Sequence, residues 1–434
     1  MLKAGFARVD VTPPLGAFIS GYFEDRHAKG VLDPIQLNAL AVSDGDKTVL
    51  IVIADFIGVD RVSCERFCSK ISQRTGLEES HIVLTALHQH TSIHIGSREV
   101  KKAGSVVNDP VFMEELNRKY CDVAQMALGD MSDATLGFGM EETAEPIAFI
   151  RRYLMTDGTV IGHPFGRQSE IVRRIGEADN RVRLLRFVRE GKNDIAFVNF
   201  CTHPDTMGGE MLSADWPGFV RRYVEKDLGG VSCLLLNGVQ GDSNHIDYIG
   251  GRRHGYEHTA RMGRIIADVV VKLWDKTEAK TDVAVNCAKC DLVLPTRTDE
   301  AEKYAESREL LDATNEKRIP RPTGAQLGNA SRIVRLRNAP VFQQLPVTAV
   351  RIGDICIVGF GGEPFTQYAR SIEEAHPELT VLSSCCCNGY EGYLPTKEIF
   401  LEGGYEASSS MFHDTLEEEC FGAAMGLIDT LYGK

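Results

Sequence analysis

Basic charge and long apolar runs are both scarce in this sequence. Lys and Arg number 48 against 61 Asp and Glu, a formal net charge of −13. Nucleic acids and anionic membranes need a basic surface, so neither is expected as a partner. The longest apolar runs, such as 49–54, fall far short of the roughly 20 residues of a membrane span. No low-complexity linker is visible, and no internal repeat. The start, MLKAGFARVDVTPPLG, has no apolar core of the kind a secretory leader carries. A cytoplasmic location is therefore expected.

Cysteine is not scarce, with 12 in the chain, but Cys385, Cys386 and Cys387 stand in a row, a poor arrangement for pairing. Free thiols in a reducing compartment are expected. Cys287 and Cys290 form a CxxC with no second such pair at zinc-ribbon spacing, and they read as two thiols on or near a strand. The remaining composition, 43% hydrophobic and 25% charged over 434 residues, is ordinary for a globular chain able to bury a sizeable core.

Strand-like and helix-like stretches alternate. Strands are predicted at 46–54, 81–87, 182–188, 195–201, 231–237, 346–359 and 379–385. Helices are predicted at 63–75, 110–129, 216–226, 255–275, 300–315 and 413–431. This pattern of Val, Ile and Leu runs bounded by Gly and Asn predicts an α/β fold, a layered mixed sheet flanked by helices. The whole chain, 1–434, reads as a single catalytic domain. Its most polar stretch, 296–345, reads as solvated surface, with an insertion or lid as the other reading.

Several predicted strands run into reactive groups, where α/β sheets carry their functional side chains. His88 and His90 follow one strand at i and i+2, a spacing that turns two imidazoles the same way on extended backbone, and His94 continues it. His203 ends a second, and Glu363 follows a third within Gly361-Gly362-Glu363-Pro364. Tyr390, Tyr393 and Tyr405 lie among glycines farther on. Each segment also has a plainer reading: solvated histidines at a strand end, a structural histidine, a solvated carboxylate, packing tyrosines. Ser243 stands near Asp242 and His245, but His245 occupies the place of the second glycine of G-x-S-x-G, which disfavours a serine triad. Two neutral imidazoles and a carboxylate make up the ligand set of a hydrolytic zinc site.

Taken in order, these segments resemble the neutral (non-lysosomal) ceramidase family. Asp10-Val11-Thr12-Pro13-Pro14-Leu15-Gly16, Gly21-Tyr22 and Asp33-Pro34-Ile35 are similar to its amino-terminal elements. Leu87-His88-Gln89-His90-Thr91-Ser92 resembles its T-H-T-H-S-G-P motif, with Ile93-His94 in place of Gly-Pro. Asn199 to Thr202-His203, Ser213-Ala214-Asp215, Gly241-Asp242-Ser243-Asn244 and Gly362-Glu363-Pro364-Phe365-Thr366 resemble later motifs, as do Tyr390, Tyr393 and Thr396. Tyr405, twelve residues past Tyr393, reproduces the family's spacing between its ligand and catalytic tyrosines.

The resemblance covers the chain to about Ser410, so the family's carboxy-terminal immunoglobulin-like domain is not expected. It implies one zinc ion held by His88, His203, Glu363 and Tyr393, although manganese, iron or nickel would suit similar ligands. It implies Tyr405, His90 and Ser243 as catalytic residues, and hydrolysis of an amide (N-acyl) bond by metal-activated water. A small, soluble acyl compound is the expected substrate. An ester or sugar-linked bond cleaved at the same site, or a non-catalytic metal-binding protein, are the other readings.

Overall fold

One set of six elements recurs three times along the chain. The computed structural model describes residues 1–96, 102–251, 253–298, 300–314 and 322–433. The first set comprises β1 (Lys3–Asp10), β2 (Gln36–Ser43), β3 (Thr48–Ala54), α1 (Arg61–Thr75), β4 (Ile82–Ala86) and α2 (Pro110–Gly129). Strands β1, β2 and β3 form an antiparallel meander, and α1 carries the chain across so that β4 lies parallel to β3. Both helices begin at aspartates: Asp60 accepts from the Ser63 amide, and Asp109, just before Pro110, accepts from Val111 and Phe112.

The second set repeats these pairings with β5 (Ser132–Glu142), β6 (Arg181–Arg189), β7 (Asp194–Phe200), α3 (Asp215–Leu228), β8 (Val231–Asn237) and α4 (Tyr256–Trp274). The third begins with β9 (Val285–Pro295), passes through α5 (Tyr304–Thr314) and α6 (Gly324–Leu336), and continues with β10 (Phe342–Ile352), β11 (Ile355–Phe360), α7 (Thr366–Ala375) and β12 (Thr380–Ser384). Two short helices, α8 (Lys397–Glu402) and α9 (Tyr405–Ser409), precede its last helix, α10 (Leu416–Tyr432). In all three sets the last helix packs on the first two strands. Topology thus recurs where sequence does not.

The first two sets join back to back in one eight-stranded sheet, order β8-β7-β6-β5-β1-β2-β3-β4, through the short β1–β5 seam at Lys3–Asp133 and Ala4–Ser132. The third forms its own sheet, order β9-β10-β11-β12. Alternation along each strand assigns its two faces. Leu37, Ala39 and Ala41 of β2 pack with Phe67, Ile71 and Tyr120 of α1 and α2. Leu40 and Val42 turn the other way, into a core shared with Val350, Ile352, Ile355 and Leu382 of the smaller sheet. The far face of that sheet, through Val347, Ala349 and Val358, packs on Ile372 and Ile428 of α7 and α10. The result is four layers, helices–sheet–sheet–helices. Full burial of each such aliphatic side chain contributes roughly 1.5–3 kcal/mol, so both faces of both sheets are committed to cores.

Two further expectations change. The strand predicted over 346–359 is two antiparallel strands, β10 and β11, turned at Gly353, whose φ of 66° suits glycine. The segment 296–345 is not solvated throughout, because α6 buries Leu327, Arg332 and Ile333 and packs against α9. Residue 315, at the end of the helix predicted over 300–315, lies outside the described residues. Cys287 and Cys290 lie on β9, opposite Val350 and Val347, and all twelve cysteines are free thiols. Among the described residues no helix is long and apolar enough to cross a membrane.

Strands β3, β4, β7, β8, β11 and β12 all end at one edge of the two sheets. There the sheets are tied together: Asn237 Nδ2 donates to Leu87 O at 2.9 Å, and Asn199 Nδ2 donates to Ser383 O at 3.1 Å. The three long connections from first to second strand, residues 11–35, 143–180 and 296–341, open at this same edge.

Candidate metal centre

Each set contributes one side chain to a single point at that edge. His88 lies two residues past β4, with φ of 69°, a left-handed conformation that a β-carbon disfavours. His203 lies three residues past β7, and Glu363 three past β11.

The carbonyls around the two imidazoles fix their protons. His88 Nδ1 is 2.8 Å from Ile57 O, and His203 Nδ1 lies 2.7 Å from Gln240 O and 2.9 Å from Ser243 O. Carbonyl oxygens only accept, so both Nδ1 atoms carry a proton and both Nε2 atoms are turned toward Glu363. Each Nε2 lies 3.2 Å from Oε2 of Glu363. Glu363 is ionised: burial pushes its carboxyl up, but His88 and His203 hold it well below the usual carboxylate range. Burial, with the nearby Arg151 charge, pulls His203 down to about 4, so it is neutral at pH 7.

The consequence is two imidazole nitrogens that each approach one carboxylate oxygen at 3.2 Å in a buried site. His203 Nε2 and Glu363 Oε2 are buried without a hydrogen-bond partner, an arrangement costly in a dry interior. Two ligands about 2.0–2.1 Å from a tetrahedral zinc would stand roughly 3.3 Å apart, close to the spacing here. The donor set therefore fits a divalent cation. His90 lies beside it: ligand atoms of His88, His90 and His203 all fall within 4.8 Å of one another. Neither nitrogen of His90 has a hydrogen-bond partner, and burial together with His88 and His203 keeps it well below its ordinary value.

Tyr393 is aligned by the backbone, as its residue pairs with Glu363 in a short parallel bridge. Its ring lies 6.4 Å from that of His203 at 28°, and Tyr405, the first residue of α9, packs edge-on against it at 5.4 Å. Burial first, then Glu363, pushes the Tyr405 phenol up to about 12, so it keeps its proton. Ser243 contributes through its backbone carbonyl on His203, while its hydroxyl faces Cys201 O and Thr202 Oγ1 at 3.4 Å each.

Three neighbours had no role assigned from sequence. Tyr390 donates to Glu363 Oε1 at 2.9 Å. Arg151 sits over the Tyr393 ring with Cζ 5.3 Å from its centroid, pairs through Nε with Glu406 at 2.9 Å, and donates to Gly241 O at 2.7 Å. Tyr390 and Glu406 belong to the tyrosine motifs and could have been found there. Arg151 is one of several arginines in the 143–180 connection, with no signal to mark it.

Solved structures carry the same arrangement of elements. The neutral ceramidase from Pseudomonas aeruginosa superposes with a TM-score of 0.74 at 14% identity, over 100% of this chain and 74% of that one. The chain has the neutral ceramidase fold. A second ceramidase structure, complexed with C2, matches over 100% of this chain and 75% of its own, at the same TM-score of 0.74 and 14% identity. No protein-family model matches the chain, and no curated protein does. The ceramidase fold agrees with the layered mixed sheet expected from the sequence.

Proposed function

We propose that this chain is a zinc-dependent hydrolase that cleaves the amide bond of a small, soluble N-acyl compound, with His88, His203, Glu363 and Tyr393 as the metal ligands. One observation carries the reading: two imidazole nitrogens and a carboxylate oxygen meet at 3.2 Å in a buried site. The ceramidase fold supports amide hydrolysis as the reaction class.

Bound zinc supplies Lewis acidity, polarising the carbonyl and acidifying water. The chain's own groups do the rest. The Tyr405 phenol, protonated at neutral pH, donates to the carbonyl oxygen as negative charge develops on it. His90, neutral and with both nitrogens unpaired, orients the attacking water by accepting from it. Arg151 fixes the Tyr393 ring, and the Gln240 and Ser243 carbonyls fix the tautomer of His203. Water adds to the amide carbon, its protons pass by way of His90 to the nitrogen as the C–N bond breaks, and a carboxylate and an ammonium leave.

The test is metal analysis of the purified protein together with amine release from a panel of N-acyl compounds and matched esters. Stoichiometric zinc and amine release, both lost in His88→Ala and His203→Ala, are expected. Full zinc and full activity in either variant would end the proposal. Zinc without turnover on any acyl compound would favour a non-catalytic metal-binding protein.

A further inference from the structure

The candidate centre is almost sealed: His88, His203 and Glu363 are 2%, 1% and 1% exposed. The 11–35 connection crosses above it. Tyr22 stacks obliquely near His90, ring centroids 5.5 Å apart, and Phe23 meets Tyr405 edge-on at 6.1 Å. Tyr405 has no room to retreat from Phe23. On α6, a β-carbon at Gly328 would lie 2.9 Å from its ring, so α6 approaches as closely as a glycine permits.

This crossing segment is pinned rather than free to swing. Gly21 has φ of 109°, and a β-carbon there would stand 2.7 Å from Ile57 Cδ1 and 2.8 Å from His90 Nδ1. Arg26 donates to Gly209 O at 3.0 Å, Ser20 O at 2.8 Å and His90 O at 2.9 Å, and its guanidinium lies 4.0 Å from the Tyr22 ring centroid. The Tyr22 hydroxyl donates to Asp205, two residues past His203. Phe23 is thus anchored by its neighbours on both sides, while making none of the proton-handling or ligand contacts itself.

We infer that Phe23 and Tyr405 form a fixed constriction over the metal centre that admits slender amides and excludes bulky ones, which makes Phe23 a specificity-determining residue. The inference deepens the hydrolase reading and rests on it for the word amide. The constriction itself concerns access alone. Tyr405 is one wall of the constriction as well as the oxyanion donor, with Phe23 against its ring.

The test uses Phe23→Ala, with Phe23→Leu as the milder variant should the first not fold. Zinc-loaded protein is treated with 1,10-phenanthroline, and the rate of zinc removal is followed by absorbance. Two anilide series, one with bulk on the acyl side and one with bulk on the amine side, are assayed in parallel. Zinc removal should accelerate in the variants. The bulky-to-small ratio of kcat/KM should rise by about 10-fold or more in at least one series, since a few methylenes in a pocket are worth that much. Equal removal rates and unchanged ratios would overturn the constriction. Faster zinc removal with no anilide turned over by any of the proteins would keep the constriction and sink the hydrolase reading. A protein that takes up no zinc sinks both.

Discussion

Oε2 of Glu363 stands 3.2 Å from Nε2 of His203, and both atoms are buried without a hydrogen-bond partner. A cation between the two atoms would satisfy both at once. Zinc at a thousandfold excess over its Kd should therefore stabilise the fold by about 4 kcal/mol. Glu363→Gln should act in opposite directions in the two states. Its amide N–H can donate to either Nε2, so the metal-free variant should gain about 0.5–1.5 kcal/mol, while the zinc-dependent shift disappears. Thermal melts with and without zinc read both. A variant that melts lower without metal and keeps the full zinc shift would contradict this account of the site.

Tyr405 is the donor expected to meet the developing oxyanion. Tyr405→Phe removes the hydroxyl and leaves the ring between Phe23 and Gly328. Loss of one such donor lowers kcat by roughly 10²–10³-fold, with zinc content unchanged. Gly328→Ala should produce a smaller loss of the same kind, because its added carbon would stand 2.9 Å from the Tyr405 ring and push the phenol off line. Steady-state kinetics on a small amide decide it. A fall in zinc content matching the fall in kcat would move Tyr405 from oxyanion donor to metal support.

What the sequence made legible, and what it hid, follows one physical division. Strands β3, β4, β7, β8 and β11 are buried on both faces and read as largely apolar runs. Most ligand-bearing segments follow such strands, so His88, His203 and Glu363 could be picked out. The first strands of the three sets were not visible. KAGFARVD, SDATLGFGMEE and VNCAKCDLVLP carry glycine, charge and partly exposed positions, and they are strands because a partner pairs with them. The repeat was invisible for the same reason: what recurs is the order of pairing. Arg151 and Phe23 were missed because they come from long connections, where no periodicity marks a residue.

A buried ionic cluster at the start of β6 sets the acid limit of the fold. Asp179, with its side chain 4% exposed, is 2.7 Å from Nη2 of both Arg181 and Arg183, and Glu373 of α7 joins them at 2.9 and 3.0 Å. Burial alone would push the Asp179 carboxyl up. The two guanidinium groups outweigh it and hold the carboxyl far below the usual range. Unfolded, Asp179 takes up its proton near the ordinary value of about 3.9; folded, it resists to much lower pH. Its stabilisation is therefore fully present above about pH 4 and declines as pH falls below that value toward the folded-state pKa. Asp179→Asn leaves Arg183 with Glu373 as its remaining carboxylate at 3.0 Å and should destabilise the fold at neutral pH by less than the roughly 3–5 kcal/mol of a fully orphaned buried charge. It should also flatten the stability profile below pH 4. Urea unfolding of both proteins across the acid range measures the two effects together, and a variant whose stability falls as steeply in acid as the parent's would place the acid-sensitive group elsewhere.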